Sequence, residues 1–249
     1  MKIKLALAVL ALATTSIHAA SIDSSSKHWD YSNMNGPGAW SRLSPEFAAC
    51  GAGKEQSPID IRAENGSHLS PIKFAYTAGK AAMVNNGHTI QVNIANGGSI
   101  KLESDKFKLV QFHFHTPSEE SVNGKRYPLV AHLVHKADDG SLAVIAVLFK
   151  SGRENPALRQ VFDQLPHSPG EEAALTQSFD LSRILPVERS YYAYSGSLTT
   201  PPCSEGVRWQ VLRTPVEISP QQLLAFKKIY KMNARPLQAV NGRVISSGG

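Results

Sequence analysis

Cysteine is nearly absent: the 249 residues hold two, Cys50 and Cys203. That excludes a scaffold stapled by several bridges and leaves room for one internal disulfide. No apolar run is long enough to cross a bilayer. The formal net charge is +6, yet no dense run of lysines and arginines gathers it, which argues against a nucleic-acid surface and for a solvated face with a modest basic excess. No repeat, low-complexity block or Pro/Gly-rich linker divides the chain after its first twenty residues, so one domain over residues 21–249 is the economical reading.

The first twenty residues are a different kind of segment. Lys2 and Lys4 precede an apolar run from Leu5 to Ala13, and small residues follow at Ala19 and Ala20. This three-part pattern predicts a secretory signal over residues 1–20, removed on export to the periplasm or beyond the cell. An exported chain with two cysteines is expected to pair them. The long loop that Cys50 and Cys203 would close gives a chain-entropy gain of roughly 5 kcal/mol, which native strain often reduces.

Short alternating runs rich in β-branched and aromatic residues predict strands over Thr89 to Ile94, Lys108 to His115, Leu129 to His135, Leu142 to Phe149 and Val207 to Leu212. Helical patterns are fewer. Asn155 to Gln164 is one, and Ser219-Pro220 ahead of Gln221 to Tyr230 supplies an N-cap and a first-turn proline for another. Many strands without regular βαβ alternation predict a mainly β (α+β) fold: a large, twisted, mostly antiparallel mixed sheet with short peripheral helices.

The chemistry sits in the histidines. In Gln111-Phe112-His113-Phe114-His115 the two imidazoles are two residues apart, so on a strand they share one face while the phenylalanines pack on the other. His132 and His135 are three apart and face opposite ways on their strand, so only one of them can join the pair. Three neutral imidazoles leave a tetrahedral zinc one open position, which is the composition of a catalytic site. Taken alone, a His-x-His strand is a weak metal signal, and two satisfied or solvated histidines are the commoner outcome.

Several separated stretches change that weighting. In order they are His28-Trp29-x-Tyr31, Gln56-Ser57-Pro58-Ile59-Asp60-Ile61, Asn85-Asn86-Gly87-His88, Gln111 to His115, Ser118-Glu119, His132-Leu133-Val134-His135, Gly196 to Pro202, Val207-x-Trp209 and Asn233-x-Arg235-Pro236. Together they resemble the α-carbonic anhydrase family, of the secreted bacterial type, across essentially the whole chain after the leader. The resemblance implies reversible hydration of carbon dioxide to bicarbonate by zinc-bound hydroxide, with Zn2+ held by His113, His115 and His132. It implies Gln111 as partner of the first ligand and His88 as proton shuttle. Thr199 would take a hydrogen bond from the hydroxide and donate its own proton to Glu119. Tyr31 would help order water, Thr200 would contact bicarbonate, and Val134, Val144, Leu198, Val207 and Trp209 would form the apolar wall for carbon dioxide. It also implies cis bonds before Pro58 and Pro202.

Singly, these residues read more blandly: Thr199 as a turn hydroxyl, Glu119 as a surface acid, His88 as a turn residue, the wall as core. A non-catalytic binding module or a zinc buffer of the same fold is disfavoured because all three histidines, Thr199 and Glu119 are present. One departure stands out. Many relatives carry, two residues before the third ligand, a glutamate that accepts from its imidazole; here that position is Val130, which cannot accept. The expectation is a less firmly oriented His132 and weaker zinc retention, unless a backbone carbonyl or water substitutes. Oligomeric state, a homodimer included, is left open by the sequence.

Overall fold

The computed structural model describes residues 28–62 and 64–249. The expected leader lies outside the described residues. Among them, thirteen strands form one sheet and three short ones form a second. Seven strands build the centre of the large sheet: β1 (Ala81–Asn85), β2 (Ile90–Ile94), β3 (Asp105–His115), β4 (Leu129–Lys136), β5 (Leu142–Ser151), β6 (Tyr191–Ser197) and β7 (Glu205–Leu212). Their spatial order is β1-β2-β3-β4-β5-β7-β6. All neighbours are antiparallel except β5 and β7, which run parallel. The predicted mixed, mostly antiparallel sheet is therefore present, with each of the five expected strands in place to within a few residues.

Register divides the sheet into two faces with different duties. Across one face run Phe112, Phe114, Leu129, Ala131, Leu133, Ala143, Ile145, Val147 and Phe149, all fully buried. They join the larger apolar cluster, on which the helix Pro220–Ile229 packs through Phe226. Each fully buried large side chain there contributes roughly 1.5–3 kcal/mol. The opposite face carries the chemistry. His113 is paired with His132, and His132 with Ala146; one step along, Gln111 is paired with Val134, Val134 with Val144 and Val144 with Trp209. Two transverse rows, one of imidazoles and one of apolar side chains, thus lie side by side on neighbouring strands.

Helices are short and peripheral. The expected Asn155 to Gln164 segment is a 3-10 turn, Pro156–Leu158, leading into the α-helix Arg159–Asp163, with the Asn155 side chain accepting from Ala157 N. Pro220–Ile229 begins with a capping box between Ser219 and Gln222. The short helices Trp40–Leu43 and Ala49–Ala52 were not foreseen from the sequence; four residues are too few to carry a 3.6-residue period. Cys50, in the second of them, is disulfide-bonded to Cys203. The bonds before Pro58 and Pro202 are cis, as is the one before Pro117.

Candidate metal centre and active-site cleft

His113 and His115 project from the end of β3 and His132 from β4, with ring centroids 4.7–5.5 Å apart. One nitrogen of each ring is already engaged. His113 Nδ1 lies 2.9 Å from Gln111 Oε1, and His115 Nδ1 lies 2.7 Å from the Asn233 carbonyl oxygen. His132 Nε2 lies 2.9 Å and 3.2 Å from the two oxygens of Glu120. Since these partners only accept, each engaged nitrogen carries the proton, and the other nitrogen keeps its lone pair. The three histidines can present one ligand atom each within 4.8 Å of one another. His115 Nε2 is buried without a partner, which is costly for a polar atom unless something is bound there. A site of three neutral imidazoles, tied from behind and converging in front, fits zinc.

Electrostatics favour the neutral form at two of the three imidazoles. Burial, helped by His132, holds His113 down to about 3 although the ring borders the cleft. Burial also depresses His115, with His132 and His113 adding to it. At His132 burial acts downward too, but the Glu120 and Glu119 carboxylates outweigh it and the imidazole sits above its ordinary value.

The expectation attached to Val130 is corrected here. Val130 is fully buried and accepts nothing, yet His132 does not lack an acceptor: Glu120, also fully buried, supplies it from the loop between β3 and β4. The substitute for the missing glutamate is thus neither a backbone carbonyl nor a water but a second carboxylate. An acid in an irregular loop has no periodic signature, and its one sequence cue was the unusual adjacency Glu119-Glu120.

Glu119 Oε2 lies 3.5 Å from His115 Nε2 and 3.8 Å from His132 Nδ1, on the side where the lone pairs converge. Its other oxygen accepts from Arg235 N at 2.7 Å. Burial lifts this carboxyl to about 7, against the pull of His132, Arg235 N and the neighbouring Thr199 hydroxyl. Glu119 Oε2 has no partner that meets full hydrogen-bond geometry, so Thr199 is adjacent to the carboxyl without being locked to it.

A cleft of about 180 Å³ opens over the imidazoles. Its lining includes Tyr31, His88, Gln111, His113, His115 and Thr200, so four separate stretches of sequence meet there. His88 is half-buried and stacks on Trp29, with centroids 3.6 Å apart and planes 8° from parallel. Burial, and then His28, lower its pKa. Tyr31 is held by edge contacts to Trp29 and Trp40, and its buried hydroxyl has no partner among the described residues. Val144, Val207 and Trp209 are buried in one apolar cluster, with Val134 and Leu198 packed against it. The Trp209 ring also lies 4.9 Å from that of His132, so the predicted wall reaches the imidazoles.

Asn233 and Arg235 have structural roles that the sequence motif does not reveal. Asn233 closes the back of the site: its carbonyl meets His115, its side chain accepts from Thr116 N, and its amide donates to the His88 and Phe114 carbonyls.

A large mixed sheet bearing three convergent imidazoles beneath a small cleft defines the class: a β-sheet protein with a three-histidine group that could hold a metal ion. Comparison narrows it. Residues 35–248 match the family model described as eukaryotic-type carbonic anhydrase. The chain is 41% identical over 246 residues to a carbonic anhydrase of Pectobacterium atrosepticum, covering 98% of this chain and 99% of that one. It superposes on the α-carbonic anhydrase of Thermovibrio ammonificans, solved with the inhibitor sulfanilamide, with a TM-score of 0.86 and 47% identity, over 88% of this chain and 99% of that one. It likewise matches the Photobacterium profundum α-carbonic anhydrase with a TM-score of 0.84 and 42% identity, over 88% and 100% of the two chains. The chain belongs to the α-carbonic anhydrase family, and its activity is that of a carbonic anhydrase.

Proposed function

We propose that this protein hydrates carbon dioxide reversibly with a zinc ion held by His113, His115 and His132. The observation that carries the reading is the convergence of three imidazoles whose remote nitrogens are each tied to an acceptor. When bound, zinc supplies the Lewis acidity that makes hydroxide available near neutral pH, an effect for which carbonic anhydrases are themselves the standard example.

The residues around the site divide the remaining work. Glu119, when ionised, can only accept hydrogen bonds, so it turns the Thr199 hydroxyl toward itself and leaves the threonine oxygen to accept from the attacking nucleophile. That fixes the direction of a lone pair, and orientation of this kind is a recognised source of rate. Carbon dioxide offers no charge to grip, and the apolar side chains Val134, Val144, Leu198, Val207 and Trp209 give it a water-poor seat beside the imidazoles. Thr200, on the cleft wall, supplies a hydroxyl for the product bicarbonate.

Each hydration leaves a proton to be removed. His88 lines the same cleft, and an imidazole both takes up and releases protons readily, so it carries that proton between the cleft and solvent. The unpartnered Tyr31 hydroxyl offers an anchor for water along the way. Export through a leader at residues 1–20 to the periplasm or the medium suits the disulfide, which persists in oxidising compartments.

Stopped-flow carbon dioxide hydration on the oxidised protein, with zinc measured on the same sample, tests the reading. Fast hydration that His113→Ala abolishes together with bound zinc is expected. Zinc-replete protein without hydration would overturn it.

A further inference from the structure

We infer that Glu120 is the positioning residue for His132, anchoring the third imidazole of the centre from a loop and not from its own strand. This inference rests on the zinc reading above. On β4 the same-face neighbours of His132 are Val130 and Val134, neither of which can accept a hydrogen bond. The acceptor therefore comes from twelve residues earlier in the chain.

Glu120 is built to stay where it is. Its backbone carbonyl accepts from Ser118 Oγ at 2.7 Å, and Ser118 in turn accepts from Tyr127 N at 2.9 Å. Immediately after it, Ser121–Val122 pairs in parallel with Asp60–Ile61, which pins the loop to a second sheet. A fully buried carboxylate costs several kcal/mol unless something repays its lost hydration. The protein contact the structure gives the Glu120 carboxylate is the His132 ring nitrogen, at 2.9 and 3.2 Å. Of its two oxygens, Oε2 takes the hydrogen bond and Oε1 has no other partner among the described residues.

The consequence is specific. By accepting from Nε2–H, Glu120 fixes the tautomer of His132 and leaves Nδ1 as the nitrogen that faces the metal position. It also holds the ring among Trp209 and the other two imidazoles, whose ring centroids lie 4.7–5.5 Å from its own. Because Val130 shares the face of His132 one pleat away, a carboxylate placed there could serve the same ring. The two positions are then alternatives, and the chain uses the loop.

The experiment is zinc release from the full-length holoprotein to excess dipicolinate, read alongside the visible spectrum of the cobalt(II)-substituted protein. Glu120→Leu, which removes the acceptor, is expected to release zinc at least tenfold faster and to alter the cobalt spectrum. Adding Val130→Glu to it is expected to return both toward wild type, which a purely structural role for Glu120 would not produce. Wild-type release and spectrum in Glu120→Leu would overturn the inference. If Glu120→Leu does not fold, the double variant decides: slow release supports the inference, fast release overturns it. Wild-type protein that holds no zinc, or a His113→Ala variant that holds as much, would instead overturn the zinc reading itself.

Discussion

Arg235 joins the two ends of the active-site machinery to Glu119: its backbone N–H donates to Glu119 Oε1 at 2.7 Å. Its guanidinium, 1% exposed, donates to the carbonyl of Cys50 at 2.9 Å, to that of Ser57 at 2.7 Å and to Gln56 Oε1 at 2.9 Å. Gln56 Nε2 donates onward to the Cys203 carbonyl. The Glu119 carboxylate and the Cys50–Cys203 disulfide are therefore parts of one hydrogen-bonded unit.

Removing the disulfide should act on activity as well as stability. Cys50→Ser/Cys203→Ser is expected to lower unfolding free energy by roughly 2–5 kcal/mol, because the bridge spans 153 residues. It should also lower hydration several-fold at temperatures where the variant is still folded, through loosening of Thr199 and Glu119. Denaturant unfolding and stopped-flow hydration on the same samples check both; full activity with reduced stability would leave the bridge a purely structural role.

Thr199→Val keeps the shape of the side chain and removes its hydroxyl. With the orienting contact gone, kcat/KM should fall by about 10²-fold while zinc content stays unchanged. Loss of zinc in this variant would place Thr199 in metal retention and not in orientation.

Proton removal is separable from attack on carbon dioxide, so His88→Ala should lower kcat in weak buffer by about 10²-fold and leave kcat/KM nearly untouched. Added imidazole should restore kcat. The shuttle must be unprotonated to accept, so kcat in weak buffer should rise with pH, with a midpoint below the ordinary histidine value because burial and His28 depress it. His28→Gln should move that midpoint upward.

Much of this was legible in the sequence because the strand period is two. The shared face of His113 and His115, the opposite placement of Phe112 and Phe114, and the split between His132 and His135 all follow from counting. Parity could not say which of His132 and His135 joins the pair, since that depends on which face of β4 meets the imidazoles of β3. Glu120 was missed for a different reason: it acts from a loop, and its partner is chosen by how the Thr116 to Ser121 segment is tied down. Trp29 stacking on His88, across 59 positions, has no local signal either.

His135 gives the clearest pH test of the fold. It is fully buried on the face opposite the metal site, with Nε2 2.9 Å from the Tyr76 hydroxyl, and burial holds its pKa down to about 4. In the unfolded chain it titrates near 6.5, so between that pH and about 4 the unfolded state binds a proton the folded state does not. Stability from this group is complete above pH 6.5 and falls progressively as the pH drops, by roughly 3 kcal/mol at the acid end of the window. His135→Gln cannot titrate and should lose that part of the acid sensitivity, even if its stability at neutral pH is lower. Urea unfolding of both proteins between pH 7 and pH 4 measures the difference. Parallel curves for the two would mean that His135 takes up its proton in the folded state, and that the Tyr76 contact does not keep it neutral.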